Sequence, residues 1–253
     1  MNMTDLLACK TAFVTGAGQG NGRAIAIGLA RAGAHVVVTD MNAASVDETA
    51  RLIRAEGGSA SSHALNVTDA QQCQELARHA LDGRGELDIL VNNAGILIRG
   101  DIDSPNAVET LRRVMQVNLE GTFNVTHAWL ASLRKACGAI VNIASVASYV
   151  GWADTPSYAP SKGAVKQLTQ SLAMDLGKDG VRVNAIAPGV IATPMTTSTR
   201  DDPEKLERFL QRIPLGRVGN PEELVGTVLF LASSMSSYVT GITLPVDGGF
   251  LAA

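Results

Sequence analysis

The chain of 253 residues is 46% hydrophobic and 18% charged, with 25 glycines and 9 prolines, a composition that fits one large globular domain or two small ones and excludes a disordered chain. Its formal net charge is -3 and its 21 Lys and Arg are scattered rather than blocked, which leaves no basic field for a nucleic-acid backbone. No apolar run approaches the roughly 18 residues that a bilayer span requires, and the start, MNMTDLLACK, is too short and polar for a signal peptide, so a soluble cytoplasmic protein is expected.

In chain order, short β-branched runs alternate with longer stretches whose apolar residues recur at helical spacing. TAFVTG (11–16) predicts a first strand and 22–32 the helix after it. HVVVTD (35–40) and helix 45–56 follow, then SSHALNV (61–67) and helix 70–81. LDILVNNAG (87–95) precedes one long helix over 107–135, GAIVNIAS (138–145) precedes helix 157–177, and VRVNAIAPG (181–189) precedes helix 221–232 and the closing GITLPVDGG (241–249). Several strands are continuously apolar, as expected when helices cover both faces of a sheet. The alternation implies right-handed crossovers and an α/β, doubly wound, Rossmann-type fold with a seven-stranded, mostly parallel sheet. With no linker, repeat or low-complexity tract, residues 1–253 read as one domain, its dinucleotide-binding half about 1–150 and its catalytic helix, lid and last strand about 151–253. The stretch 188–219 is the one long irregular segment, and such a loop in a compact domain reads as a lid.

TGAGQGNG (15–22) follows a strand and opens a helix, where free backbone N–H groups can hold a pyrophosphate. Gly16 allows the turn, Gly20 the close approach of phosphate, and Gly22 the packing of helix on strand. Asp40 ends the second strand where a carboxylate accepts from both hydroxyls of an adenosine ribose and repels a 2′-phosphate. Met41 follows it, with no Arg or Lys beside it, and the cofactor implied is NAD. The alternative for Asp40 is capping of the helix that begins near Ser45.

SYAPSKGAVKQLTQSLAMDL puts Tyr158 and Lys162 four residues apart on one helix face. A phenol titrates near 10 and becomes a useful base only beside a cation that stabilises its phenolate. Tyr158 backed by Lys162 could then exchange a proton with an alcohol or carbonyl oxygen.

TGAGQGNG, Asp40, NNAG (92–95), Asn118 in VNLEG, Ser145 in NIASVAS, YAPSK, PGVIAT (188–193) and VTGITLPVDGG occur in the order of the short-chain dehydrogenase/reductase family, and the chain resembles that family over nearly its whole length. The resemblance implies that Tyr158 is the acid/base, that Lys162 lowers its pKa and holds the nicotinamide ribose, that Ser145 bonds the substrate oxygen, and that Asn118 positions a water leading to solvent. It places backbone of Asn92, Ala94 and Gly95 on the adenosine side, with Asn92 also steadying the sheet. It assigns Gln19, Asn21, Val67, Pro188 and Gly189 to the cofactor, and sets Ile191 and Thr193 beside the carboxamide. It also implies a homotetramer.

Two positions depart from the family pattern. Asn21 stands where the family usually carries Ile or Leu near the nicotinamide end, and Asn66 stands where it usually carries Asp beneath the adenine. Asn66 could accept from the adenine amino group through its side-chain carbonyl. For Asn21 the expectation is a kept backbone contact to phosphate plus a side-chain hydrogen bond near the phosphate or nicotinamide.

The substrate pocket is expected from Ser145, Val146, Ala147, Trp152 and Tyr158, from Ile96 and Leu97, and from the lid beyond Met195. Trp152 either stacks on substrate or closes the wall. The lid charges Arg200, Asp201 and Asp202 permit a hydroxylated substrate but read more readily as solvated surface. No metal is expected, since His35, His63, His79 and His127 are unclustered. Cys9, Cys73 and Cys137 suggest no disulfide or zinc site and read as buried or half-buried thiols. The leading function is NAD-dependent oxidation of a secondary alcohol such as a polyol or sugar. The alternatives are a carbonyl or 3-oxoacyl thioester reductase and, more distantly, a silent dinucleotide-binding sensor.

Overall fold

The computed structural model describes residues 6–253. Seven strands form one sheet in the order β3-β2-β1-β4-β5-β6-β7: β1 (Thr11–Thr15), β2 (His35–Asp40), β3 (Ser59–Ala64), β4 (Ile89–Asn92), β5 (Ala139–Ile143), β6 (Arg182–Pro188) and β7 (Thr243–Val246). Every pairing is parallel. The strand order reverses between β1 and β4, and at such a switch point the loops beyond the carboxyl ends part to leave a crevice. The two motifs TGAGQGNG and NNAG therefore emerge side by side.

The continuous apolar strands feed two cores. Ala12, Val14, Val36 and Val38 pack on one face with Ile25 and Leu29 of α1 (Gly20–Arg31), Val46 and Ile53 of α2 (Ala43–Ala55), and Val228 of α9 (Val225–Ala232). Phe13, Val37, Leu90 and Ile140 point to the other face, against Cys73 and Leu76 of α3 (Ala70–His79), Trp129 and Leu133 of α5 (Gly121–Ala136) and Leu176 of α6 (Tyr158–Leu176). The period-2 alternation of strand side chains thus fills both layers, and the polar strand residues Thr39, Asn92, Asn142 and Asn184 are themselves buried. Among the described residues no helix is long and apolar enough to cross a membrane.

Local chemistry moves four boundaries. The stretch 107–135 is two helices, α4 (Ala107–Met115) and α5, joined by a π turn, Gln116–Glu120, that carries Asn118. The lid contains α7 (Thr197–Arg200) and α8 (Pro203–Leu210); the Asp202 side chain accepts from Lys205 N at 3.1 Å and Pro203 fills the first turn, so DDPEK is a helix start rather than loop. The edge strand β3 lies earlier than expected because its serines pair with β2, while the apolar Leu65 and Val67 are buried past its end. The stretch 221–232 opens with a 3₁₀ turn, Pro221–Leu224, before α9. The thiols also differ from expectation: Cys73 is buried, whereas Cys9 and Cys137 are exposed.

Candidate active site

The turn after β1 is held by groups outside it. Asn93 Nδ2 donates to the carbonyls of Thr15 and Gly16 at 2.9 Å each, and the Thr15 hydroxyl accepts from the backbone N–H of Asn93 and Ala94 at 3.0 Å. Gly16 has φ +62°, and a Cβ on Gly22 would run into the Gly16 carbonyl, so both positions need glycine. Gln19 supplies no side-chain cap to α1, whose first N–H groups therefore face the crevice. Asp40 does not cap α2; Asn42 does, accepting from Ser45 N at 3.1 Å. Instead Asp40 Oδ2 accepts from Gly18 N at 3.2 Å and Oδ1 from Asn42 N at 3.1 Å, which fixes the carboxylate at the cleft rim.

Two cavities meet here. The first, about 250 Å³, is lined by Gly16, Gln19, Gly20, Asn21, Gly22, Asp40, Asn66, Val67, Ala94, Gly95 and Thr193. The second, about 130 Å³, is lined by Ser145, Ala147, Trp152, Tyr158, Lys162, Pro188, Gly189 and Ile191. Asn21, Gly95 and Thr193 belong to both walls. A glycine-cradled turn at an uncapped helix start fits a pyrophosphate, and the carboxylate rim fits a ribose. The residues present therefore fit a dinucleotide laid across both cavities.

Several expected residues sit elsewhere. Asn92 lines neither cavity: it is buried, and its Nδ2 donates to Thr126 Oγ1 at 3.0 Å and Asn142 Oδ1 at 2.9 Å, which ties β4 to α5 and β5. Ile96 faces the first cavity rather than the catalytic one. Asn66 Oδ1 already accepts from Thr68 N at 3.1 Å and Thr68 Oγ1 at 2.9 Å, so its carbonyl is committed locally and Nδ2 is the group left to offer an adenine. Asn118 is also fully engaged: Oδ1 accepts from Ile96 N at 2.8 Å, and Nδ2 donates to Ile96 O at 3.0 Å and Ser161 Oγ at 2.9 Å. The π turn thereby sews the loop after NNAG to α6.

Ser145 follows β5 and its Oγ accepts from Ala147 N at 3.1 Å, so its hydroxyl proton is left to donate to the Tyr158 phenol or to an oxygen bound beside it. Lys162 is buried, its Nζ donating to Ile143 O at 2.7 Å and lying 5.9 Å from the Tyr158 ring centroid. Burial pushes the Lys162 ammonium down to about 8. Burial raises the Tyr158 phenol above its ordinary value, and the groups that pull it back are the Ser145 hydroxyl and the charge of Arg99. The net downward shift expected from Lys162 is not found, because desolvation is the largest effect on this phenol.

Sequence reasoning passed over Arg99, which lines the catalytic cavity and donates to Thr199 Oγ1 of the lid at 2.7 Å. Its signal was a lone cation seven residues beyond Asn92, on the loop that follows β4. Trp152 closes the wall, its ring 5.5 Å from Phe209 and 5.1 Å from Phe250 in edge contacts. The lid charges turn away from the cavity: Arg200 folds onto Thr193 O at 3.2 Å, and Asp202 pairs with Lys205 at 2.9 Å.

A doubly wound parallel sheet whose switch-point crevice brings a phosphate-binding turn against a Ser, Tyr and Lys cluster defines a dinucleotide-dependent oxidoreductase. Residues 16–251 match the family model described as Enoyl-(Acyl carrier protein) reductase. The 2-dehydro-3-deoxy-D-gluconate 5-dehydrogenase of Bacillus subtilis (strain 168) is 43% identical over 96% of this chain and 94% of that one. The 3-oxoacyl-[acyl-carrier-protein] reductase FabG of Thermotoga maritima is 40% identical over 96% of this chain and 98% of that one. A crystal structure of a gluconate 5-dehydrogenase from Burkholderia cenocepacia J2315, in complex with NADP and tartrate, matches with TM-score 0.94 and 36% identity over 99% of this chain and 98% of that one. The chain belongs to the short-chain dehydrogenase/reductase family and is an oxidoreductase acting on a carbinol or its carbonyl.

Proposed function

We propose that the protein is an NAD-preferring dehydrogenase that oxidises a secondary alcohol of a sugar, a polyol or a sugar acid. The convergence of Ser145, Tyr158 and Lys162 on a cavity that opens into the Asp40 cavity carries this reading. The gluconate-named relatives support a sugar or sugar-acid substrate, and Arg99 on the cavity wall suits a carboxylate.

A bound nicotinamide supplies the hydride acceptor. Ser145 donates its free hydroxyl proton to the substrate oxygen and so holds the carbinol near Tyr158. As hydride leaves the carbinol carbon, Tyr158 Oη takes the hydroxyl proton, and the carbon–oxygen bond becomes a carbonyl. The Lys162 ammonium, anchored on Ile143 O, keeps donors in hand for a ribose hydroxyl, while the Ser145 hydroxyl and the charge of Arg99 favour the phenolate. Asn118 acts as a positioning residue, holding Ile96 and Ser161 and hence the registers of the NNAG loop and α6.

The preference for NAD rests on Asp40, since a 2′-phosphate would face a carboxylate already fixed by two backbone N–H groups. The nearby cation gives no relief: Arg23 donates to Gly18 O and, at 3.0 Å, to Thr49 Oγ1. The NADP in the Burkholderia structure makes this a point for direct titration. NAD should bind at least tenfold more tightly than NADP by calorimetry, and Asp40→Ser should narrow that gap; tighter NADP binding to the wild type would end the ribose argument. A panel of polyols, aldoses and sugar acids scored by NADH formation tests the substrate class, and activity confined to 3-oxoacyl thioesters would replace it with the reductase reading. Residues 1–253 act as one catalytic unit, in a reducing cytoplasm that suits the exposed thiols, and assemble as a homotetramer.

A further inference from the structure

A third cavity, about 260 Å³, adjoins the catalytic one, and Arg99, Trp152 and Phe209 line both. Asp154, Phe250 and the cations Lys205, Arg208 and Arg212 complete its wall. The loops after β4 and β5, the helix α8 and the segment after β7 thus converge on one place. Lys205, Arg208, Phe209 and Arg212 recur at spacings of three and four, which sets them on one side of α8 and of the turn that ends it.

The floor is aromatic. Trp152 and Phe209 are half-buried and meet edge-on at 5.5 Å, and the buried Phe250 packs against both, at 5.1 and 6.2 Å. The open faces of the two half-buried rings are apolar surface that a ligand can cover. The rim is cationic, and its charges are unequally spent. Lys205 pairs with Asp202 at 2.9 Å, and Arg208 approaches Glu204 at 3.9 Å, so both are answered within α8 and its cap. Arg99 gives one N–H to Thr199 and has no carboxylate partner among the described residues. Arg212 has none either: its guanidinium lies 4.5 Å over the Phe250 ring, a cation–π contact that holds it at the cavity while its N–H groups stay available. Asp154 is the one carboxylate of the wall, so the balance is positive.

An apolar floor beside unpaired guanidinium charge selects a ligand with both an apolar body and an anionic end. A small inorganic anion gains nothing from the rings, and a neutral ring gains nothing from the charge. We propose that this cavity is a second ligand site, outside the catalytic cavity, for a ring-bearing organic carboxylate: the ring lies on Trp152 and Phe209, and the carboxylate pairs with Arg212. A guanidinium can meet a carboxylate through two parallel bonds, which favours a carboxylate that reaches it from the floor. The site goes beyond the proposed oxidation and does not depend on which alcohol is oxidised.

The test titrates three probes by calorimetry into wild type and Arg212→Gln with NAD present: 2-naphthoate, 2-naphthamide, which keeps the ring without the charge, and acetate, which keeps the charge without the ring. Arg212 lines this cavity and not the catalytic one, and it is exposed, so the variant should keep its fold and report on this site alone. Naphthoate should bind saturably and at least about fivefold more tightly than naphthamide, with no detectable binding of acetate. Arg212→Gln should weaken naphthoate by about five- to tenfold and leave naphthamide within about twofold. Equal affinity for naphthoate and naphthamide, or the absence of saturable naphthoate binding, would overturn the proposal. So would naphthoate binding that Arg212→Gln leaves unchanged, the result expected if the probe enters the catalytic cavity and competes with the alcohol there. If no alcohol is oxidised, the same titrations without NAD still read this site, so its failure and that of the dehydrogenase reading stay distinct.

Discussion

Lys162 illustrates how a site residue can weigh on the fold that carries it. Its ammonium is almost wholly buried, with one carbonyl partner at 2.7 Å, and burial lowers it from 10.5 to about 8. The unfolded chain keeps that proton up to about pH 10.5 and the folded chain only to about 8, so between those values the unfolded state binds more protons and stability rises with pH. Below pH 8 both states are protonated and the full cost of the buried charge is present, on the order of 3 kcal/mol. Lys162→Met should therefore stabilise the protein at pH 7, and the gain should shrink toward pH 10 in urea melts; a gain independent of pH would show that the charge is not the cause. Tyr158 works in the opposite sense above pH 10, because its raised phenol pKa keeps a proton that the unfolded chain releases. Tyr158→Phe removes the proton acceptor and should lower kcat by about 10²–10⁴ while NAD affinity stays within a few-fold of wild type; near-normal turnover would displace Tyr158 from its role.

At the scale of elements, the helices that carry the chemistry end and begin where local geometry demands. α5 stops at Cys137, an exposed residue in the left-handed region at φ +47° whose N–H bonds back to Arg134 O at 3.2 Å. A side chain there is strained where glycine is not. Cys137→Gly should raise stability by about 1 kcal/mol, seen as a higher denaturation midpoint with unchanged kcat, and a loss of stability would show that the Cys137 side chain packs usefully against Gly180. The sequence revealed β1, β2, β4, β5 and β6, because burial on both faces makes each of them a largely apolar run. It revealed Ser145, Tyr158, Lys162 and Asp40 because their motifs are local. It hid the π turn, whose residues QVNLE keep a helical apolar period while the backbone widens by one residue to turn Asn118 toward Ile96. It hid Arg99 as well, since only folding of the lid brings Thr199, a hundred residues later, to that guanidinium. Asn21 could be flagged as unusual from its position, but that its Oδ1 is buried without a hydrogen-bond partner is a property of three dimensions.

At the scale of the whole molecule, two kinds of apolar surface remain. The apolar lining of the cleft suits the proposed ligands, and a second set lies outside it on α4, α5 and α6. Val108 on α4 is 63% exposed, Phe123 on α5 is 50% exposed and stacked on His127, and Met174 on α6 is 84% exposed. Single exposed apolar residues need no explanation, but several large ones along neighbouring long helices suit a helical face against another subunit. In the proposed homotetramer a two-fold axis beside this face would set each patch on its own copy, and a second axis would close the set at four. Light scattering behind gel filtration should therefore give a mass about four times the 26.4 kDa chain. Phe123→Asp combined with Met174→Asp should reduce it to dimers or single chains, because two carboxylates would be desolvated at each buried contact. Since neither residue lines a cofactor or substrate cavity, the dissociated variant should still bind NAD, with turnover lost only as far as the α4 to α6 layer needs a neighbour to hold Asn118 and Tyr158 in place. A wild-type mass of one chain would overturn the assembly, and a double variant that remains tetrameric would move the interface to another face.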